Sequence, residues 1–347
     1  MPTAAPVPFI TAAACSVNSP IGTAPAARRC FVIYRAFTRL SIYARVREYV
    51  LLHGSATVRT SASQDVLDYA FSRGHAYSPT DSRTQVCESA RVDIHTRIDA
   101  VRKRAADTLS GRIIAVESDK GGLGKTTLAV ELAYVLDAVL IDLDWHDGNA
   151  ARALGWRHEQ RARTSPLLDA LAAGRTPRPI KGAPSRPDLV PGGPDLEARQ
   201  PSAHDMAQAL VEWADQWKRP VVVDTHPGGG HAANGAAEAA HLVPTPCPLT
   251  EKDLAALDGW VDVMDGYPLM IVPNRVPRVP PAAQLGWVES IADRYRLPVA
   301  SPVPESSTWL PRRKARTAVC SARSLSPKSE PLVDAFTTIA EEVVEHV

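Results

Sequence analysis

The chain has 347 residues, and its 39 lysines and arginines nearly balance 38 acidic residues, so any contact with nucleic acid must come from local patches rather than from overall charge. Five widely spaced cysteines, Cys15, Cys30, Cys87, Cys247 and Cys320, include no Cys-x-x-Cys pair that would suggest zinc or a redox dithiol, and they fit a reducing cytosol. No apolar run approaches the length that spans a bilayer, and Arg28 and Arg29 follow the first mildly apolar stretch where a secretory signal needs them ahead of it, so a cytoplasmic protein is expected, with one large domain of about 240 residues behind an N-terminal extension.

Residues 1–47 carry six arginines and no acidic residue amid much Ala, Pro, Ser and Thr, a composition that cannot assemble a core. A disordered basic arm, an organellar transit-type segment and an unusual upstream start all fit it. Residues 48–110 are expected to form a small helical region: Tyr43, Val46 and Val50 mark one candidate helix, Val66 to Phe71 a second, and Ile94, Ile98, Val101 and Ala105 a third. These helices read either as a DNA-binding module of helix-turn-helix type or as ordinary helices packed on the domain that follows.

Residues 111–347 read as an α/β domain of the P-loop NTPase kind, a mostly parallel sheet with helices on both faces. Arg112 to Glu117 is a strand-like apolar run, Ser118-Asp-Lys-Gly-Gly-Leu-Gly-Lys-Thr-Thr127 a loop, and Thr126 to Leu136 a helix. Gly121, Gly122 and Gly124 can take positive φ, so successive N–H groups converge on phosphate oxygens at the helix N-terminus. Lys125 would neutralise the β- and γ-phosphates, Thr126 would offer a hydroxyl to Mg²⁺, and Thr127 would support the α-phosphate side. Lys120 is one lysine more than a generic P-loop needs, and Asp119 stands where such a loop has its first glycine.

Further strands are expected at Ala138 to Asp142, Pro220 to Asp224, His241 to Cys247 and Leu269 to Val272, with helices at Glu251 to Met264 and Ala282 to Arg296. Two more helical patterns lie between Leu154 and Trp217, separated by a Pro-, Gly- and Arg-rich surface loop from Thr176 to Pro201. Ligands of open α/β sheets sit beyond the carboxyl ends of the strands, where Asp142, Asp144 and Asp224 fall. Asp224, followed by Thr225-His-Pro-Gly-Gly-Gly230, can hold Mg²⁺ through water while the glycine-rich segment moves with the γ-phosphate. Asp142 and Asp144, two residues apart, share one side of an extended chain.

The Lys-Gly-Gly-Leu-Gly-Lys-Thr-Thr loop with its early lysine, Leu140-Ile-Asp-Leu-Asp-Trp-His-Asp-Gly-Asn149, Val223-Asp-Thr-His-Pro227 and Ile271-Val-Pro-Asn-Arg275 together resemble the ParA/MinD family of deviant Walker ATPases, from about Arg112 to the C-terminus. The resemblance implies that Lys120 is the signature lysine reaching the partner's phosphates in an ATP-bound homodimer, with Lys125 the P-loop lysine. It implies that Asp144 positions the attacking water, that Asp142 and Asp224 support the metal and the switch segments, and that Asn274 contacts the adenine edge. Trp145 and His146 stand where the family usually has Pro-Gln, and His226-Pro-Gly-Gly-Gly replaces its commoner Pro-Pro or Pro-Ala. As lone histidines, His146 and His226 read as solvated switch residues, with a catalytic role the sharper alternative.

Near the end, Arg312, Arg313, Lys314 and Arg316 form a basic cluster with Arg323 and Lys328 beyond it, able to hold DNA phosphates without reading bases or else to form a merely solvated face. The last helix has an apolar stripe, Leu332, Val333, Phe336, Ile339, Ala340, Val343 and Val344, and acidic polar positions that anionic lipid repels. It is expected to pack on the sheet rather than anchor to a membrane. The leading expectation is an ATPase of plasmid or chromosome segregation, requiring ATP and Mg²⁺, that binds non-specific DNA on the nucleoid as a dimer and answers to a ParB-like partner. A nucleotide-gated positioning scaffold without DNA contact, and a transcriptional autoregulator using the N-terminal region, are the alternatives.

Overall fold

The computed structural model describes residues 93–146, 149–157, 165–306 and 317–347. The readings placed on residues 1–92, including two of the three candidate N-terminal helices, and on the Arg312 to Arg316 cluster lie outside the described residues.

Every strand ladder is parallel. Strands β1 (Ile113–Val116), β2 (Val139–Asp142), β3 (Asp188–Pro191) and β4 (Val221–Asp224) pair in the order β1-β4-β2-β3, while β5 (Val243–Pro248) pairs with β6 (Leu269–Asn274). A bridge between Ile114 and Leu242, with hydrogen bonds from the Ala115 and Glu117 N–H groups to the Leu242 and Pro244 carbonyls, joins the two ladders. The effective order is therefore β3-β2-β4-β1-β5-β6, with β1 near the centre.

That join is thin for a reason visible in the sequence. Pro244, Pro246 and Pro248 alternate along β5, and the Pro244 carbonyl accepts from the N–H of Glu117, directly after β1, so these alternate positions face β1. A proline has no N–H to donate, and the three remove the donors on that side. The Val243 N–H faces the other way and donates to the Pro268 carbonyl. Strands β1, β2 and β4 are buried at every position, which is why their sequences are continuous apolar runs rather than alternating ones.

Helices cover both faces. On one lie α1 (Ile94–Thr108), α2 (Lys125–Val135) and α9 (Glu330–His346), with the short α3 (Ala150–Ala153) beside them. On the other lie α4 (Pro166–Ala172), α5 (Ala203–Trp217), α6 (His231–Ala239), α7 (Glu251–Val263) and α8 (Ala282–Tyr295). Side-chain caps start several of them: Ser165, Ser202 and Thr250 accept from the N–H groups of Leu168, Asp205 and Asp253.

Helix α1 buries Ile98, Val101 and Ala105 in the same cluster as α2 and α9, and its Arg97 bridges Asp334 at 2.5 Å and Glu341 at 2.8 Å on α9. The terminal apolar stripe is buried in one cluster with α1, α2 and the sheet residues Met270 and Val272. Of its acidic residues, Glu342 points inward and accepts from the Ser301 N–H and hydroxyl, both at 2.8 Å. Two elements differ from the sequence reading. The stretch expected to be a surface loop contains β3, whose register comes from pairing with β2 rather than from local propensity. Alanine-rich α6 directly follows the glycine-rich segment after β4 and carries no start signal, since Gly230 caps it without a side chain. No helix among the described residues is long and apolar enough to cross a membrane.

Candidate functional site

The loop from Ser118 to Gly124 joins the end of β1 to the start of α2. Gly122 and Gly124 have φ of 82° and 104°, and Gly124 caps α2 with no side chain in the way, leaving the first N–H groups of the helix open to a ligand. A Cβ on Gly124 would fall 2.2 Å from Asn274 Nδ2, so only glycine fits. Asn274, at the end of β6, donates to the Leu123 carbonyl at 2.6 Å and thereby ties β6 to the loop. Beside it opens a cavity of about 610 Å³ lined by Gly124, Thr126, Thr127, Asn274, Arg275 and Pro304, next to the loop glycines where a nucleotide base would extend. Gly121 lies against Pro227 of the segment after β4.

Lys125 donates to Ser118 Oγ at 3.2 Å and to the Lys120 carbonyl at 3.4 Å, and is buried. The β2–β4 register sets Asp142 directly beside Asp224, both wholly buried. Asp142 is satisfied, accepting from the Asp144 N–H at 3.1 Å and the Ala151 N–H at 2.7 Å. Neither oxygen of Asp224 has a hydrogen bond of normal geometry. Burial, with the neighbouring carboxylates, raises both acids above the usual carboxylate range; the nearby Thr126 hydroxyl and Lys125 pull Asp224 the other way without closing the deficit. Burial lowers Lys125, while Asp224, Asp144 and Glu117 support its charge.

An orphaned buried carboxylate beside a threonine hydroxyl fits a hard divalent cation held by oxygen ligands. Thr126, Asp224 and, behind them, Asp142 are the residues that could hold Mg²⁺. Glu117, which was not singled out from the sequence, belongs to the same group: it directly follows β1, has one unpartnered buried oxygen, and is pushed by burial up to about 7 despite Lys125. Its only sequence signal is an acid closing an apolar strand immediately before the loop.

The other predicted residues sit at the rim. Asp119 is exposed, which removes the unfavourable placement of its charge against a polyphosphate. Lys120 forms an ion pair with Asp253 of α7 at 2.7 Å, an acid with no local sequence signal. Burial alone would raise Asp253, but hydrogen bonds from Lys120 and Thr250 hold it below its ordinary value. Asp144 accepts from the His146 N–H at 3.1 Å and lies 2.9 Å from His226 Nδ1, while Asn149 reaches back to the Asp144 carbonyl at 2.7 Å. Arg323 and Lys328 are exposed.

No protein-family model matches the chain. It is 30% identical over 208 residues to the septum site-determining protein MinD of Synechocystis, across 56% of this chain and 76% of that one. It is 29% identical over 153 residues to the chromosome partitioning protein ParA of Myxococcus xanthus, across 40% of this chain and 53% of the relative. Among solved structures, an ATP complex of McdA from Cyanothece superposes with a TM-score of 0.52 at 17% identity, covering 68% of this chain and 95% of that one. The last likeness establishes the fold, and the identity to MinD over three quarters of its length goes further: this chain belongs to the ParA/MinD family of deviant Walker ATPases.

Proposed function

We propose that the protein is a Mg²⁺-dependent ATPase that dimerises on ATP and works as a positioning switch, with plasmid or chromosome partitioning as its cellular role. The observation that carries this reading is buried Asp224, paired in register with Asp142, close to Lys125 at the bare N-terminus of α2. Phosphates would be held by that N-terminus and Lys125, and Thr126 and Asp224 would hold Mg²⁺, whose charge would offset that of phosphates and carboxylates. Asp144 then orients water for attack. Asn274 and the adjoining cavity take the base.

Lys120 makes turnover conditional on a second copy, because in the single chain it is held by Asp253 and must leave that partner to reach phosphates across a dimer. DNA contact falls to Arg312, Arg313, Lys314 and Arg316, whose charge suits phosphate rather than base recognition. A ParB-like protein is the expected activator. Fluorescence anisotropy with a non-specific duplex tests the switch: tight binding with ATP, and weak binding with ADP or in Lys120→Ala, is expected. Equal binding in all three sinks it.

One contact favours the scaffold reading, in which nucleotide gates cargo contact with negligible turnover: His226 occupies one oxygen of the acid that should orient water. Partner-stimulated phosphate release that disappears in Asp144→Ala would exclude the scaffold.

A further inference from the structure

We infer that Asp144, His146 and His226 form a binding site for a divalent transition metal such as Zn²⁺, separate from the all-oxygen Mg²⁺ position. The geometry follows from the sheet. Asp142 and Asp224 are register partners on β2 and β4, so Asp144 and His226, each two residues further along, emerge side by side from adjacent strands. The chain turns after Asp144, whose carboxylate accepts from the His146 N–H at 3.1 Å, and this turn sets His146 beside the pair.

The three side chains offer one ligand atom each, and those atoms lie within 4.8 Å of one another. His226 Nδ1 and Asp144 Oδ1 are 2.9 Å apart, the spacing of neighbouring ligands each about 2.1 Å from one ion. Tetrahedral ligands at that distance lie about 3.4 Å from each other, so the cluster closes with a side-chain shift of up to about 1.4 Å. The His146 and His226 rings meet edge-on, at 64° with centroids 4.5 Å apart, so their nitrogens can converge on one point. Trp145 stacks on His226 at 3.6 Å and 12°, fixing the ring's orientation, and Gly230 passes beside the indole with a φ of 121° that favours glycine. Asp144 and His226 are largely shielded, with 13% and 12% side-chain exposure, while His146 is exposed and closes the site from outside.

Two imidazoles and a carboxylate select borderline cations such as Zn²⁺, Co²⁺ or Ni²⁺, whereas Mg²⁺ prefers oxygen alone. Three protein ligands leave one tetrahedral position open. A metal bound here ties the segment after β2 to the segment after β4 and occupies the Asp144 carboxylate. The site itself stands apart from the ATPase reading; its consequence, inhibition of turnover, rests on that reading.

The test is titration of the chelator-treated, nucleotide-free full chain with Co²⁺, followed by visible absorption, and with Zn²⁺ by calorimetry. One equivalent bound without a thiolate charge-transfer band is expected, with affinity falling at least tenfold in His146→Ala and again in His226→Gln. Unchanged affinity in both variants, or no saturable binding, overturns the site. Because His146 is exposed, His146→Ala keeps the core intact, and its binding of a fluorescent ADP analogue with Mg²⁺ confirms a folded nucleotide site. Failure of the wild-type chain to bind that analogue refutes the ATPase reading while leaving the Co²⁺ result to decide the metal site.

Discussion

Strands β2 and β4 run side by side and end in two successive rows of side chains. The inner row, Asp142 and Asp224, is wholly buried and contains only oxygen donors, and Lys125 lies close to Asp224 and Glu117. The outer row, Asp144 with His226 and then His146, is at the rim and mixes oxygen with nitrogen. Two residues of extended chain separate them, yet burial gives them different chemistry. Inside, desolvation penalises each charge and leaves a deficit that only a ligand can relieve. Outside, the side chains satisfy one another, through the His226 contact and the stacked Trp145.

The largest break in this contrast is Lys125→Ala. Removing the lysine leaves Glu117, Asp144 and Asp224 without their common cation, and affinity for a fluorescent Mg²⁺-ADP analogue is expected to fall by more than about a hundredfold, the scale of a lost buried charge pair. An unchanged affinity would show that the inner row is not a phosphate site.

Next in size is the pH dependence of the free protein. Glu117 rises from 4.5 to about 7 on folding because burial favours its neutral form. The native state therefore binds more protons than the unfolded state across that window, so stability falls as pH rises from about 4.5 to about 7 and levels above it. The shift corresponds to about 3 kcal/mol, and Glu117→Gln should reduce this slope, leaving the part due to Asp142 and Asp224, in urea denaturation followed at several pH values. A variant with the wild-type slope would remove Glu117 from the inner row.

The smallest effect concerns the rim. Asp253→Asn frees Lys120 from a partly exposed ion pair with about 0.2–1 kcal/mol of coupling, so the ATP-bound dimer should tighten by up to about fivefold in sedimentation measurements. Weakened dimerisation would mean that Asp253 presents the lysine rather than restraining it.

Much of the site was legible because its signals are local. The glycines at positive φ, the lysine and threonine opening α2 and the acids closing β2 and β4 are each fixed by spacing of a few residues. Strands β1, β2 and β4 were equally plain as buried apolar runs, and α1 followed from its helical spacing. Elements lacking a local signal escaped: β3, with only four residues amid prolines and glycines, and α6, an alanine-rich helix with no side-chain cap.

The sequence by itself determined a phosphate-binding loop between a buried strand and a helix, because steric freedom at glycine and the bare helix terminus are properties of the local chain. Tertiary structure alone decided which distant groups meet there. It joined Lys120 to Asp253 across 133 positions, turned Glu117 inward, placed α9 against α1 and α2, and matched Asp144 with His226. Such pairings depend on strand register and helix packing, whose partners lie far apart along the chain, and no spacing within one segment can encode them.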